Sequence, residues 1–592
     1  ALRTLKKLED PFAPKKSTED KLLPPFVDMV NYINEQANSR MKTQNKFIVG
    51  NHALPFNPAA YGEMLMYLRM CLAYESGVEP MLESTSAMQE QAPVISKCVR
   101  KLMQQNPSDK GPISIYLKII QQLLFSIGGA PAMYCLLEIV AVAKDRLAPQ
   151  FIKQLDWLKS FMSNSREDMR EFAAQLYAIV VANACSPKNQ RDIINSLINS
   201  VTNQALEGQH GSMLALAYII GEIFRSQKIG LDAATSVFSK IDKPLQDSIV
   251  KAVVKISNML DNSQSVLSGG ACAALGEIGR SGPIPLPDET KDKKPSKLSV
   301  VQNLIKKVQS TKENSKVREK AAISLGQLCI GDLNFAHHHA VIHGILESAQ
   351  PKQIELQFTL GDSLASAALG PVSPDARDMW TCTAEEFKAP ADAAEKSQVD
   401  HVINLLLTKY TQSPNPHVRQ ASCIWLLSVA KSCGSHPVTQ AKLMDIQQAF
   451  MRLLADNDEI TQDIASKGLG VVYENCSEEE RKGLVSSLVE TLTGTQRKTQ
   501  QVTGDTKLFD EGSIGKAPDG SSLSTYKELC SIASDLNQPD LVYKFMHLAN
   551  HNALWNSKKG AAFGFSTIAA QAGEQLAPYL HKIVPKQIGR AS

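Results

Sequence analysis

Five stretches of this chain carry the same stripe: an apolar residue, a small one four positions on, and a large one four further, closed in most copies by Gly or Ala. Val317, Ala321 and Leu325-Gly326 form one copy, and Leu267, Ala271 and Leu275-Gly276 form another. Met169, Ala173, Tyr177-Ala178, then Val418, Ser422, Leu426, and Thr461, Ala465, Leu469-Gly470 fit with substitutions. Positions i, i+4 and i+8 share one face of a helix, so each copy is bulky at its ends and notched in its middle. Ala174, Cys272 and Ala322 widen the notch. A helix built this way cannot hide its stripe alone and needs another like it alongside, which is the logic of a stacked helical solenoid.

Spacing supports the stack. Val418 to Thr461 is 43 residues, and so is Met169 to Ser212, which opens a related helix running to Phe224. That interval lies within the ~40–47 residues of HEAT and armadillo repeats. From Tyr61 onward apolar residues recur at three- and four-residue steps, and alternating strand-like runs are nearly absent. The fold class expected is therefore all-α, a HEAT/armadillo-like α-solenoid of antiparallel helix pairs. The expected organisation is a Pro-containing segment with a short helix at 1–60, helical repeats over 61–280, a polar insertion at 281–299 and repeats over 300–370. A second insertion follows at 371–397, then repeats over 398–492, a Gly-rich insertion at 493–522 and repeats over 523–592. A chain of 592 residues, which could have meant about four globular domains, reads instead as roughly a dozen helix pairs on one core.

A turn recurs before the second helix of the pairs: Asn164-Ser165-Arg166 leading to Met169-Arg170, Asn314-Ser315-Lys316-Val317-Arg318, and Asn415-Pro416-His417-Val418-Arg419. Asn suits a helix cap and Pro416 suits the first turn. The Arg beside the apolar residue is expected to reach an acidic or amide group of the adjacent repeat and form a ladder. The competing reading is a row of cations that binds a partner.

Composition removes several classes of function. With 63 Lys+Arg against 60 Asp+Glu the charge is balanced, so no phosphate backbone is expected to track the whole surface and no nucleic-acid partner is expected. The 11 Cys are scattered without a C-x-x-C pair and read as small buried hydrophobes in a reducing compartment. The longest apolar stretches, such as Met213 to Phe224, fall short of a bilayer span of ~20 residues, so no direct membrane insertion is expected. The start lacks Met and the end stops just past an apolar segment, which reads as a piece of a longer protein.

Candidate chemistry is thin. Gly512-Ser513-Ile514-Gly515-Lys516 is superficially like a phosphate-binding loop, but Asp510 stands where the motif needs Gly and Ala517-Pro518 where it needs Ser or Thr. A turn-rich excursion is the simpler reading, with a short hairpin around Lys507-Leu508-Phe509. His337, His338, His339 and His343 form the one dense histidine cluster, and the four-residue step of His339 and His343 could place two ligands on one face. No third ligand stands nearby in sequence, so a polar turn opening a helix is preferred and no metal is expected. The run Asp288 to Lys297 reads as a flexible inter-helix loop. No nucleophile elbow or dinucleotide fingerprint is present, so the sequence assigns no catalytic, cofactor or metal residue and points to no enzyme.

The last third carries the most distinctive strings. Gly515-Lys516-Ala517-Pro518-Asp519-Gly520, Leu523-Ser524-Thr525-Tyr526-Lys527-Glu528-Leu529-Cys530 and Gln538-Pro539-Asp540-Leu541-Val542-Tyr543 closely resemble the HEAT-repeat proteasome adaptor and scaffold family. So do Ala465-Ser466-Lys467-Gly468-Leu469-Gly470, Trp555-Asn556-Ser557-Lys558-Lys559-Gly560 and Val418-Arg419-Gln420-Ala421-Ser422-Cys423. The resemblance is specific from about Asn415 to Pro585 and looser upstream. It implies a non-catalytic scaffold that binds the proteasome, bridges its core and regulatory particles, and serves proteasome quality control. It also implies endosomal and motor-associated partners, and a cytoplasmic and nuclear location with association to vesicles through those partners. It assigns no contact residues. The repeats alone equally allow a transport receptor or another cargo-binding solenoid.

Overall fold

The computed structural model describes residues 23–40, 47–49, 52–54, 58–80, 84–108, 110–126, 129–227, 237–290, 294–348, 353–390, 393–493 and 525–535, with scattered residues from 544 to 579. The chain divides into two compact units: 1–223 together with 377–388, and 224–376 together with 389–592. The expected α-solenoid class holds, with one small addition. Phe47–Val49 (β1) and His52–Leu54 (β2) pair antiparallel, Phe47 opposite Leu54. They are separated by Gly50 and Asn51, residue types that favour tight hairpin connections.

The first unit runs through α1 (Phe26–Arg40), α2 (Pro58–Glu75), α3 (Thr85–Glu90), α4 (Ala92–Gln105), α5 (Pro112–Ser126) and α6 (Ala130–Val142). It continues with α7 (Lys144–Leu147), a 3-10 stretch over Ala148–Gln154, α8 (Leu155–Phe161), α9 (Glu167–Ala184), α10 (Pro187–Asn203) and most of α11 (Leu206–Ser226). Helix α6 is its centre and packs on α2, α4, α5 and α9. Apolar on nearly every face, α6 has the signature of a helix with no solvent side, and 12 of its 13 residues are buried. One polar cluster interrupts this interior. Arg69 on α2 donates through Nε to Glu138 Oε2 at 2.9 Å and through Nη2 to Glu138 Oε1 at 2.8 Å and to Met88 O at 2.8 Å. Tyr134 Oη also donates to Glu138 Oε1, at 3.4 Å. Both charged partners are essentially inaccessible to solvent.

The second unit alternates two kinds of helix. Four stripe-bearing helices, α13 (Ser265–Ser281), α15 (Ser315–Leu328), α20 (Pro416–Ser432) and α23 (Glu459–Asn475), form one row with α17 (Ile354–Leu369), which has a Leu360-Gly361 pair but Leu356 where the stripe has a small residue; in the order α13, α15, α17, α20, α23 each packs on the next. Against them lie α12 (Lys243–Asn258), α14 (Lys297–Gln309), α16 (His338–Leu346), α19 (Val399–Leu405) and α22 (Leu443–Leu453), with α18 (Ala393–Lys396) and α21 (Pro437–Ala441) as short connectors. Helices α24 (Glu478–Thr493) and α25 (Tyr526–Asp535) follow. The Leu-Gly pairs explain the close approach: a Cβ on Gly326 of α15 would sit 2.7 Å from Ser363 O of α17. Ala271, Ala321, Ala322 and Ala465 are fully buried in the notches of their stripes.

Caps match the recurring turns. Asn314 Oδ1 accepts from Lys316 N at 2.9 Å, Asn415 Oδ1 from His417 N at 2.9 Å and Asn164 Oδ1 from Arg166 N at 3.0 Å. Asn314 and Asn415 each satisfy a backbone donor that the first helical turn leaves open, whereas the Asn164 bond shapes the turn just before α9, which has no side-chain cap. A second device closes the opposite ends. Gln190, Gln246 and Gln440, each the fourth residue of its helix, donate back to carbonyls of the preceding turn: Cys185 O, Ile241 O and Gly434 O. Among the polar insertions, Pro287 O and Asp288 O accept from Lys297 N and Leu298 N, so 281–299 is tied to the start of α14. The range 371–397 holds 3-10 turns at Gly370–Val372 and Pro374–Ala376, the helix α18 and a buried Trp380. Nearly all of 493–522 lies outside the described residues, as do Lys507-Leu508-Phe509 and the Gly512 to Lys516 string.

Candidate interaction surface

The recurring arginines fill first. Arg170 donates to Asn164 O and Ser165 O of its own turn and to His210 Nδ1 of the next repeat, at 2.8, 2.9 and 3.2 Å. Arg419 donates to Ser413 O and Pro414 O and, through Nε, to Asp456 Oδ2 at 2.7 Å. Arg318 donates to Val308 O and to Gln353 Oε1, both at 2.9 Å. Each fork therefore joins one or two carbonyls of its own repeat to a side chain 35–40 residues downstream. Arg318 and Arg419 make the ladder contacts that the spacing suggests, to an amide and an acid, while Arg170 reaches an imidazole instead; Arg170 and Arg318 are buried within these contacts, although Arg318 Nη2 is left without a partner.

Histidines gather more densely than the sequence suggests. His338 Nε2 donates to Ala367 O at 2.9 Å and His337 Nε2 to Asp288 O at 3.0 Å. His339 and His343 do share a face of α16, and His401 from α19 meets them, its ring 5.1 Å from His339 and 5.9 Å from His343, edge to face. No group of three or more His, Cys, Asp or Glu among the described residues has the geometry to hold a metal ion. The missing third histidine lay 58 residues beyond His343, too far for a local motif to reveal.

Three histidines, His338, His401 and His436, are shifted by their surroundings. Burial depresses His338 below its usual range, against the opposing bond to Ala367 O. Burial and then the neighbouring His339 and His343 depress His401, although Asp400 pulls the other way, and burial depresses His436. All three folded values lie below the ordinary histidine value of 6.5. The unfolded chain therefore binds more protons below that pH, so this stability is present above it and is lost as pH falls through the depressed folded values. The melting temperature is expected to be lower at pH 5.5 than at pH 7.5. His401→Gln, which keeps a polar group but removes a titration, is expected to narrow the difference, and an unchanged gap would contradict the assignment.

What stays open is the solvent side of the row α13, α15, α17, α20 and α23. Ile323 on α15 and Phe358 on α17 are 45% and 38% exposed. Both stand two residues before a Leu-Gly pair, Leu325-Gly326 and Leu360-Gly361, so they occupy equivalent positions on neighbouring helices. Glu319, Gln327, Glu355, Thr359 and Asp362 lie on the same open faces, exposed or half-buried. Ile460 and Val266 are exposed at the first turns of α23 and α13. Large apolar groups in register on adjacent helices and rimmed by polar ones have the composition of a protein-binding patch. Sequence reasoning passed over them because a single exposed Ile or Phe in a helix looks like any other member of an apolar pattern.

No helix among the described residues is long and apolar enough to cross a membrane. The family of ECM29 ARM-like repeats matches residues 75–278, within the region where the sequence resemblance had looked loose. The chain is 46% identical over 584 residues to the Homo sapiens proteasome adapter and scaffold protein ECM29, covering 97% of this chain and 31% of that one. It is 32% identical over 591 residues to the Drosophila melanogaster proteasome-associated protein ECM29 homolog, covering 95% and 30%. It therefore spans about a third of the length of these relatives. Among solved structures, karyopherin Kap121p aligns over 96% of this chain and 51% of its own, at 13% identity and a TM-score of 0.37. By sequence the chain is similar to these ECM29 proteins along nearly all of its own length.

Proposed function

We propose that this chain, a relative of the ECM29 proteins, is a length of a proteasome-associated adaptor and that it acts without catalysis. The observation that carries the reading is the 46% identity over 584 residues to a protein named as a proteasome adapter and scaffold. Identity sustained over 584 residues supports a shared fold along the chain and, through it, a shared role. The finer reading is that the full-length protein bridges the core and regulatory particles and takes part in their quality control. Endosomal and motor-associated partners, and a cytoplasmic and nuclear location, belong to the same proposal. A stack of helix pairs suits such work, because small adjustments between repeats add up over a long contact surface.

The test is capture of proteasome subunits by the tagged full-length protein, with crosslinks to both core and regulatory particles as the expected result. A capture no stronger than that of an unrelated helical-repeat chain would end the reading. Within it, the face carrying Ile323 and Phe358 is the contact surface expected to matter most. Ile323→Ser with Phe358→Ser is expected to weaken capture by about tenfold or more, the scale of losing an interface anchor. The melting temperature should stay within a degree or two, because both side chains are already partly in water. Unaltered capture would move the contact to another face.

A further inference from the structure

Helix α19 has a contact on each side that requires an uncharged imidazole. Toward α16, the ring of His401 lies 5.1 Å from that of His339 and 5.9 Å from that of His343, edge to face. Neutral rings attract in this arrangement, whereas imidazolium rings at the same separation repel. His401 Nε2 is also buried without a hydrogen-bond partner among the described residues, so a proton placed on it meets no acceptor.

Toward α21, Ser397, two residues before α19 begins, meets His436, the N-cap residue of α21. His436 Nδ1 accepts from Val438 N at 3.3 Å, which places the proton of the neutral ring on Nε2, 3.2 Å from Ser397 Oγ. A backbone N–H can only donate, so the cap itself fixes this tautomer. An imidazolium carries a proton on both nitrogens and cannot accept. Charging His436 therefore breaks the cap and orphans Val438 N in the first turn of α21, where a ring only 8% exposed leaves little room for water to replace it.

Neighbouring charges do not reverse these costs. Asp400, on α19 itself, favours the charged form of His401, but it is engaged by Lys442 Nζ at 2.5 Å and by Asn404 Nδ2 at 2.9 Å. Of the other elements packed on α19, α17 carries Glu355 and Asp362 and the π-helical turn Leu406–Tyr410 carries Lys409; none of these acts on His401. On α16 the remaining histidine, His338, is turned to Ala367 O. Against α21 lie α19 with Asp400 and α22 with Asp445 and Arg452. None of these charges, nor Lys442 between α21 and α22, acts on His436, which burial alone shifts downward.

We propose that α19 is a proton-operated latch within the stack: with His401 and His436 neutral it is held to α16 and to the turn that opens α21, and protonation of the two rings parts both contacts. Val399, Val402 and Ile403 are fully buried, so the apolar side of the helix stays seated while its polar edges open. The folded values of both rings lie below 6.5, so the latch is closed above that pH and opens as pH falls through them. Acid thus loosens the stretch from α16 to α21 before it melts the unit as a whole.

The experiment is hydrogen exchange read by mass spectrometry on the intact chain at pH 7.5 and 5.5, each rate divided by the intrinsic rate at that pH. A ring that is neutral when closed and titrates normally when open raises the open population by up to about tenfold between these values. Corrected protection of α19 and of the α21 turn is expected to fall by about three- to tenfold, with α13 and α23 changing by less than about twofold. His401→Gln with His436→Asn removes both titrations and keeps a cap acceptor, and is expected to abolish the fall. An equal fall in this double variant overturns the proposal, as does the same fall on every helix of the unit. Exchange of the imidazole C2–H groups in the unmutated protein gives each ring its own midpoint, independently of whether the variant folds. Midpoints below 6.5 at His401 and His436 are expected, and midpoints at or above that value would overturn the latch.

Discussion

Arg69→Ala is expected to be the most damaging single substitution in the first unit, at a cost of about 3–5 kcal/mol, because it strands the Glu138 carboxylate in an interior without water. Arg69 and Glu138 lie on α2 and α6, 0% and 1% exposed, joined by two charge-assisted bonds of 2.8 and 2.9 Å. Burial pushes the Glu138 carboxyl above its usual range, and Arg69 and Tyr134 act against that rise. The remedy for a stranded carboxylate is protonation; Glu138 is already raised in the parent and loses the opposing Arg69 in the variant, so as pH falls the Arg69→Ala protein should gain more stability from this group than the parent does. A double replacement, Arg69→Met with Glu138→Leu, removes both desolvation costs and is expected to be near neutral or stabilising. Urea unfolding followed by circular dichroism distinguishes these outcomes. An Arg69→Ala chain with the parent's midpoint would show that the pair contributes nothing to holding α2 on α6.

The second large effect is expected at Gly326. A Cβ there would lie 2.7 Å from Ser363 O and 2.9 Å from Ser363 Cα, both backbone atoms of α17, which no rotamer change can move aside. Gly326→Ala must therefore push α15 and α17 apart, a strain of about 1–3 kcal/mol by the usual cost of overpacking. Alanine is intrinsically better than glycine inside a helix by about 1 kcal/mol, so a net loss of stability would isolate the inter-helix contact as its cause. Gly326→Val should be worse. The readout is hydrogen exchange on α15 and α17, where loosening should be confined to these helices and their immediate neighbours because each repeat is held by the next. Slower exchange in Gly326→Ala would refute the close approach.

The features legible in the sequence are those whose cause is local or repeated. Leu325-Gly326 and Leu275-Gly276 announce helices that must be approached closely, and Asn314 and Asn415 announce the turns before them. The arginine ladder was legible because its partner sits one repeat away and the repeat length was known. The glutamines at 190, 246 and 440 carried a signal that went unread: Gln as the fourth residue of a helix opened by Pro at its first or second position. His401, which completes the histidine cluster, and Asp378, which reaches Lys144 across 234 residues, could not be read at all. Their partners are fixed by how whole repeats stack, and no spacing rule spans that separation. For the candidate surface, Ile323 and Phe358 were visible as apolar residues, but their exposure follows from which side of each helix the stripe uses.

The cysteines scattered through the repeats make the chain its own strain gauge. Burial pushes the thiols of Cys135, Cys272 and Cys433 up to about 12, and those of Cys71 and Cys476 to about 11. A thiol so protonated and enclosed reacts with alkylating agents only when its own helix pair opens to water. The order in which these positions become labelled is therefore a map of which repeats breathe first. A ligand that clamps one stretch of the stack would show itself as slowed labelling at the cysteines beneath it, without any probe being added to the protein.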